Sequence, residues 1–396
     1  MDEIVTKKHK VYSFNSSQIF HDNVNWLINS GIRTQSGPNK GAFFGWKNLN
    51  PPSYPFIYSE ITGYAITCLS WIYSEIRNIK ALEAAKESSA WIIRNLDGDL
   101  LVAGYMQDDK FTQKGNLTDQ IYAFDNGVIV TGLLNLYKLV QDSRILRVTE
   151  RMIEALLRYF FDGLEITSAL LDSSHHETNY GEKKWSTTPG PYHSKLSFAL
   201  LDLAKLTNNT LYAQVSDSLC DFAIKLQKSN GRFVTDRNSD VTFLHPHLYA
   251  CEGLIYAGIS QCNERYYMKG LHGVMWAVDQ INPVTGGVPR DSGKKSIEQS
   301  DCIAQLLRLL ILCSRQLLKR SLFRSSYRLN RIIDKLHLRL LDFYISSGDD
   351  KGGLKYQLSL NSSCTWCTMF AAQALWLWMK RRDYLYHGRR WIDFYI

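Results

Sequence analysis

The hydrophobic and polar positions of the chain repeat in six similar units. In each unit a polar or aromatic residue precedes an apolar stretch long enough for three or four helical turns. Because these stretches are apolar on nearly all sides, they predict buried helices. Their starts are roughly 55 to 70 residues apart, which is typical of a repeated supersecondary unit. The six predicted inner helices begin near Tyr58, Tyr122, Pro191, His245, Ser300 and Thr365.

Amphipathic helices are predicted between these segments, with apolar residues at i, i+3, i+4 and i+7. They begin near Ala81, Ile145, Thr210 and Tyr266. Their charged faces indicate an outer layer. A glycine and a short extended stretch follow most of them, since glycine supplies the turn after a helix. These glycines are Gly41, Gly104, Gly231, Gly287 and Gly353.

This order predicts an all-α fold, an (α/α)6 toroid of six helical hairpins with glycine-led extended segments at the cleft. The third repeat departs from it, because its connection is long, polar and without the glycine signature. The sequence indicates one domain over residues 18–396, preceded by a loose arm over residues 1–17. The aromatic tail from Asp383 is expected to pack on the ring.

The net charge of +8 is moderate for 396 residues and does not indicate a nucleic-acid-binding protein. The basic residues are densest between Arg315 and Arg339. Apolar residues recur through this stretch, which favours an exposed helix face and a loop. A docking surface for nucleic acid or an anionic membrane is the alternative.

The sequence starts without an apolar signal segment and contains no run of 18 apolar residues, so neither a secretory leader nor a membrane span is expected. Together with eight scattered cysteines, this favours the cytoplasm. Cys364 and Cys367 form a CxxC pair without a second ligand pair at zinc spacing, so both are interpreted as structural.

Four of the repeated segments carry a family resemblance. They begin at Tyr58 (YSEITGY), Phe124 (FDNGVIVTGLL), His245 (HPHLYACEGL) and Ser300 (SDCIAQLLRL). They resemble the six-hairpin glycosidase superfamily, in particular toroids encoded with polysaccharide- or glycan-assembly genes. The resemblance implies a carbohydrate-active enzyme, with glycan-assembly proteins as partners. It also implies a site at the ring end where the inner helices begin, but no catalytic signature transfers residue by residue.

The first turns of the predicted inner helices are rich in groups suited to acid–base chemistry. The candidate catalytic residues are Glu60, Asp125, His193, His245, Glu252 and Asp301. Hydrolysis of a glycosidic bond requires two carboxyl groups, and Glu60 with Asp125 is the leading pair. Glu252 with Asp301 is the reserve pair. The alternative for an acid at a helix start is capping of backbone N–H groups.

A second set of residues suits sugar binding. The candidates are Trp46, Tyr58, Tyr64, Tyr192, His247, Tyr249, Arg290, Lys355 and Trp366, and Trp185 is a further stacking platform. Basic groups would suit a uronic acid, since arginine pairs with carboxylates. The cleft mouth is therefore predicted to include at least three of Lys47, Arg237, Arg290, Lys355, His193, His245 and His247.

No cofactor is expected, because the sequence has no Walker A motif, no GxGxxG after a strand and no GxSxG elbow. No metal is expected either, because the paired histidines at 175/176 and 245/247 lack convincing further ligands. The favoured function is hydrolysis of a glycosidic bond in an oligosaccharide or polysaccharide, and a glycan that contains uronic acid is one candidate substrate. The alternatives are a uronate lyase or C5-epimerase, a non-catalytic glycan-binding protein and, less well supported, an isoprenoid cyclase.

Overall fold

In the part of the chain that the structure describes, twelve α-helices alternate between an inner and an outer layer. The computed structural model describes residues 16–106, 117–178, 185–235, 240–294, 296–323, 325–387 and 395. The inner helices are α2 (Ser59–Ile76), α4 (Ala123–Val140), α6 (Ser197–Thr207), α8 (Leu244–Ser260), α10 (Ser300–Lys319) and α12 (Thr365–His387). The outer helices are α1 (Ser16–Asn29), α3 (Ile79–Asn95), α5 (Ser143–Phe160), α7 (Thr210–Lys225), α9 (Glu264–Asp279) and α11 (Ser326–Leu341).

The inner helices form a closed ring. Each packs on the next inner helix in chain order, and α12 packs back on α2. The last inner helix also pairs with the first outer helix, α1, so both ends of the described chain contribute to one hairpin. This arrangement confirms the predicted (α/α)6 toroid. The six inner helices begin within one residue of the predicted positions, except in the third repeat.

Two helix starts differ from the sequence-based expectation. The outer helix α1 begins at Ser16, inside the predicted arm, and buries Ile19, Phe20 and Leu27 against the ring. Residues 1–15 lie outside the described residues. In the third repeat a 3-10 turn, Pro191–Leu196, precedes α6, so the α-helix starts six residues later than predicted.

Short strands lead into several inner helices. They are β1 (Trp46–Leu49), β2 (Pro52–Ser53), β3 (Phe56–Tyr58), β4 (Gly104–Met106), β5 (Gln120–Tyr122), β6 (Phe161–Asp162), β7 (Glu165–Ile166), β8 (Leu170–Asp172) and β9 (Ser362–Cys364). All pairings are antiparallel: β2–β1–β9, β3–β4, β5–β8 and β6–β7. The stretch after Gly104 is a strand as predicted. The stretches after Gly231, Gly287 and Gly353 form isolated β-bridges instead of strands.

The basic stretch coincides with the end of α10 and with α11. Leu329, Ile333 and Leu336 bury one face of α11, while Tyr327 and Arg331 lie exposed on the other. This matches the interpretation as an exposed helix face. None of the helices that the structure describes is both long and apolar enough to cross a bilayer.

Helices α2 and α4 touch backbone to backbone through glycine. A Cβ atom on Gly63 would lie 2.8 Å from the Cα of Ile129, and one on Gly132 would collide with the carbonyl oxygen of Gly63. Real Cβ atoms do not approach so closely, so the two inner helices can cross at this distance only with glycine at these positions. The crossing lies about one turn into α2 and about two turns into α4.

Gly132→Ala is therefore expected to destabilise the ring. Alanine favours a helix, but the overpacking at this crossing typically costs about 1–3 kcal/mol. Thr131→Ala, at the adjacent position of α4, is the control, since it removes a methyl group and a hydroxyl that donates to the Gly127 carbonyl but adds no atom at the crossing. Chemical denaturation of both variants checks the difference. Equal midpoints for Gly132→Ala and the unmodified protein would contradict the crossing.

Candidate functional site

A cavity of about 1000 Å³ opens at the end of the ring where the inner helices begin. The first turns of α2, α4, α8, α10 and α12 contribute to its wall, together with the segments that precede them. Nine of the predicted site residues line it: Trp46, Tyr58, Glu60, Asp125, His245, Tyr249, Arg290, Asp301 and Trp366. Trp185, in a 3-10 turn, lines it for the third repeat.

Two of the predicted histidines are placed elsewhere. His193 is buried in the 3-10 turn, where its Nδ1 accepts a hydrogen bond from the backbone N–H of Gly190 at 3.2 Å. His247 is buried on the side of α8 that faces α9, with Nε2 2.9 Å from the carbonyl oxygen of Gly273. Burial lowers the pKa of His193 to about 3 and that of His247 to about 4, so both rings stay neutral. They hold backbone groups and do not reach the cavity.

Three predicted sugar-binding residues also lie outside the cavity wall. The hydroxyl of Tyr192 donates to the carbonyl oxygen of Thr188 at 2.8 Å. Tyr64 lines a small void deeper in the ring. The backbone of Lys355 accepts a hydrogen bond from the hydroxyl of Ser300 and donates one to the carbonyl oxygen of Phe343.

The expected ring of basic groups at the cleft mouth is not found among the described residues. Arg290 and His245 line the cavity. Lys47 pairs instead with Asp350, with Nζ 2.7 Å from Oδ2. Arg237 lies outside the described residues.

Glu60 and Asp125 lie in the first turns of the adjacent helices α2 and α4. Burial raises the pKa of Glu60 to about 7, although a hydrogen bond from Tyr58 and the charge of Lys195 oppose the increase. Burial raises the pKa of Asp125 well above its usual range, and the negative charge of Glu60 raises it further. The Oδ2 atom of Asp125 is buried without a hydrogen-bond partner among the described residues.

These surroundings give the two carboxyl groups different pKa values. Tyr58 and Lys195 stabilise a negative charge on Glu60, whereas Asp125 faces that charge without comparable support. Asp125 therefore keeps its proton to higher pH than Glu60, and above about pH 7 the remaining proton of the pair lies on Asp125. Such an unequal pair supplies both an acid and a base to one ligand.

Glu252 lies beneath the cavity, at the centre of a buried polar network. Its Oε2 is 2.7 Å from Nζ of Lys195, and its Oε1 is 3.4 Å from Nη2 of Arg308 and accepts a hydrogen bond from the hydroxyl of Tyr395 at 3.0 Å. The Glu252 side chain has no exposed surface. The structure therefore places Glu252 where it supports the wall, not where it touches a ligand. Of the expected C-terminal packing, Tyr395 is the described part beyond His387, and it is buried.

The tautomer of His245 follows from this network. Gln305 donates its Nε2 hydrogen to Oε1 of Glu252 at 3.4 Å, which turns the amide oxygen of Gln305 towards His245. Nδ1 of His245 lies 2.7 Å from that oxygen and so carries the hydrogen. Burial lowers the pKa of His245, so the ring is neutral with Nε2 as its remaining acceptor.

The donor atoms of His245, Asp301 and Cys302 lie within 4.8 Å of one another, which makes them the candidate metal ligands in the described part of the chain. Each carboxylate oxygen of Asp301 already has a partner. Oδ1 accepts from the backbone N–H of Cys302, and Oδ2 accepts from Nε1 of Trp366 at 3.1 Å. These two bonds hold Asp301 and Trp366 in place at the cavity wall.

Several important residues were missed from the sequence. Tyr122 and Phe124 line the cavity beside Asp125. The sequence did contain a signal for these two residues, because both are aromatic and stand at the start of an apolar helix. Lys195 and Arg308 are single cations within apolar inner segments. A charged side chain buried in such a segment requires a partner of opposite charge, which was the signal for both residues. Gln305 carried no signal, because its role depends on the two side chains that meet it from α8.

No family model and no curated protein matches the sequence. Solved structures do match its fold. The cellobiose 2-epimerase from Bacillus thermoamylovorans superposes with a TM-score of 0.71 over 91% of this chain and 99% of that one, at 12% identity. The chain has the six-hairpin toroid fold. A D-mannose isomerase matches with a TM-score of 0.69 over 92% and 98% of the two chains, at 11% identity.

An unsaturated glucuronyl hydrolase from Bacillus sp. GL1 also matches this six-hairpin toroid. The TM-score is 0.63 over 94% of this chain and 97% of that one, at 12% identity. The resemblance to the six-hairpin glycosidase superfamily is thus confirmed as a likeness of fold. Because the matched structures differ in the reactions they are named for, the reaction has to be argued from the site.

Proposed function

We propose that this six-hairpin toroid is a carbohydrate-active enzyme that hydrolyses a glycosidic bond. The observation that carries the proposal is the unequal carboxyl pair of Glu60 and Asp125 in one aromatic-walled cavity. Asp125 protonates the leaving oxygen as general acid. Glu60 acts as the carboxylate that activates water or attacks the sugar. Solved structures with the same fold are named for enzymes of sugars, which supports a sugar as the ligand.

The pair predicts the pH dependence of hydrolysis. The base requires an ionised Glu60, so turnover should rise as pH increases through about 7. It should fall again at higher pH, when Asp125 loses the proton that the leaving oxygen needs. Initial rates of reducing-end release across this pH range check the profile. A rate that falls steadily from pH 5 upward would contradict the assignment of Glu60 as the base.

His245 favours a second candidate, epimerisation or isomerisation by proton transfer at carbon. The neutral ring, with Nε2 as acceptor, suits a base that removes a proton beside a carbonyl group. The two reactions are separable in deuterium oxide. Hydrolysis forms new reducing ends without carbon-bound deuterium, whereas proton transfer places deuterium on the sugar carbon. Deuterium incorporation without bond cleavage, lost in His245→Gln, would replace hydrolysis with the second candidate.

A further inference from the structure

We infer that the cavity selects an uncharged oligosaccharide of at least two rings, held between two aromatic platforms on opposite sides of the acid pair. The inference rests on the proposed function, because it takes the ligand to be a sugar. It differs from the sequence-based expectation of a uronic acid. Two sets of observations carry it: the pairing of the charged groups around the cavity and the distribution of its aromatic side chains.

The one cation among the described lining residues is already paired. Nε and Nη2 of Arg290 each lie 2.8 Å from Oδ2 of Asp291. The other oxygen of Asp291 accepts the backbone N–H groups of Gly293 and Lys294, which fixes this carboxylate in place. A sugar carboxylate approaching Arg290 would have to compete with a partner that the loop holds in position.

Lys195, a buried cation behind the wall, is shielded from the cavity. Nζ of Lys195 lies 4.2 Å from the ring centroid of Tyr249, and Tyr249 is the residue that lines the cavity. The same ammonium group is bound to Glu252, and its side chain is only 7% exposed. Its charge supports Glu60 through the protein but cannot form an ion pair with a ligand.

The acidic groups of the wall outnumber its cation. Glu60, Asp125 and Asp301 all line the cavity, against the paired guanidinium of Arg290. Among the described lining residues, no unpaired cation is present to meet the further negative charge that a uronate would bring, and burying such a charge is costly. Hydroxyl groups of an uncharged sugar can instead donate to these carboxylates.

Three partly exposed tryptophans of the wall form the two platforms. The first platform is Trp46 and Trp366, whose ring centroids are 6.4 Å apart, where the sixth repeat meets the first. The second platform is Trp185, at the third repeat, and its ring centroid lies 6.5 Å from that of the buried Phe124. The acid pair lies on α2 and α4, between the two platforms around the ring. One sugar ring on each platform would place the bond between them at Glu60 and Asp125.

Binding calorimetry on the hydrolysis-deficient Glu60→Gln variant tests the inference without turnover. The ligands are cello-, manno-, xylo- and malto-oligosaccharides of one to four rings, with galacturonate and mannuronate oligomers of equal length. An uncharged series should bind about tenfold or more tightly as the second ring is added, and more tightly than any uronate. Trp46→Ala and Trp185→Ala should each remove most of that gain. Tyr327→Ala, on the exposed face of α11, should not.

Two outcomes would overturn the inference: uronates that bind at least as tightly as the best uncharged series, or no measurable binding to any ligand of the panel. Its failure is distinguishable from that of the proposed function. Tight binding of an uncharged oligosaccharide that the unmodified protein never cleaves upholds the inference and refutes hydrolysis. Cleavage of a uronate with the predicted pH dependence would refute the inference and support hydrolysis.

Discussion

Glu60→Gln is expected to reduce turnover by on the order of a hundredfold or more while the ring stays folded. Glutamine keeps the shape and the hydrogen-bonding oxygen of the side chain but cannot act as a base or nucleophile. Because burial disfavours the charge of Glu60, its replacement by a neutral group should not lower the free energy of unfolding. The measurements are steady-state kinetics on the substrate identified by the glycan panel and chemical denaturation.

Glu75→Gln is the matched control. Glu75 lies at the other end of the same helix, α2, and accepts a hydrogen bond from Nε1 of Trp376 at 2.9 Å. The glutamine oxygen can accept the same bond, so turnover should be unchanged. If Glu60→Gln retained full turnover, Glu60 would be reduced to a residue that stabilises the start of its helix.

Glu252→Ala is expected to produce the largest loss of stability, about 3–5 kcal/mol in the free energy of unfolding. The substitution leaves Lys195 and Arg308 buried without their common carboxylate, and the hydroxyl of Tyr395 without its acceptor. Uncompensated buried charge is among the few changes that destabilise a protein this strongly. Urea denaturation monitored by far-UV circular dichroism measures the loss.

An exposed acid provides the comparison. Glu264 pairs with Arg320 at the protein surface, where its side chain is 61% exposed. Solvent screens that pair, so Glu264→Ala should change the stability far less. If both variants lost the same stability, the network around Glu252 would not be the support that its geometry indicates.

The architecture was predictable from the sequence because it depends on long, repeated patterns. An inner helix such as α4 is apolar on every side, and an outer helix such as α5 is apolar on one, so the layer of each could be predicted. The position of the cavity followed from the same pattern, since the inner helices all begin at one end of the ring. Glu60, Asp125, His245 and Asp301 were found in this way.

The direction of a side chain within the first turn was less predictable. His245 and His247 are two residues apart on α8, and the rotation of the helix turns one to the cavity and the other to Gly273. The sequence alone does not show which face of an all-apolar helix meets the cavity. His193 was misplaced because the third repeat begins with a 3-10 turn, which changes the directions of its side chains.

The pairing of charged side chains was the property that was hardest to predict from the sequence. Arg290 and Lys47 were recognised as basic, but their partners Asp291 and Asp350 are decided by loop geometry and, for Lys47, by residues 303 positions away. The expectation of a uronic acid depended on counting cations. Once the partners are known, the same residues support an uncharged ligand.

The glycine crossing of α2 and α4 links the pKa values of Glu60 and Asp125 to the distance between the two helices. Gly63 and Gly132 set how closely the two helices approach. Glu60 lies about one turn above Gly63, and Asp125 lies about two turns above Gly132. Any substitution that spreads the crossing would weaken the repulsion between the carboxyl groups and bring their pKa values together. Evolution or protein engineering could therefore adjust the working pH of this site through positions that never touch the ligand.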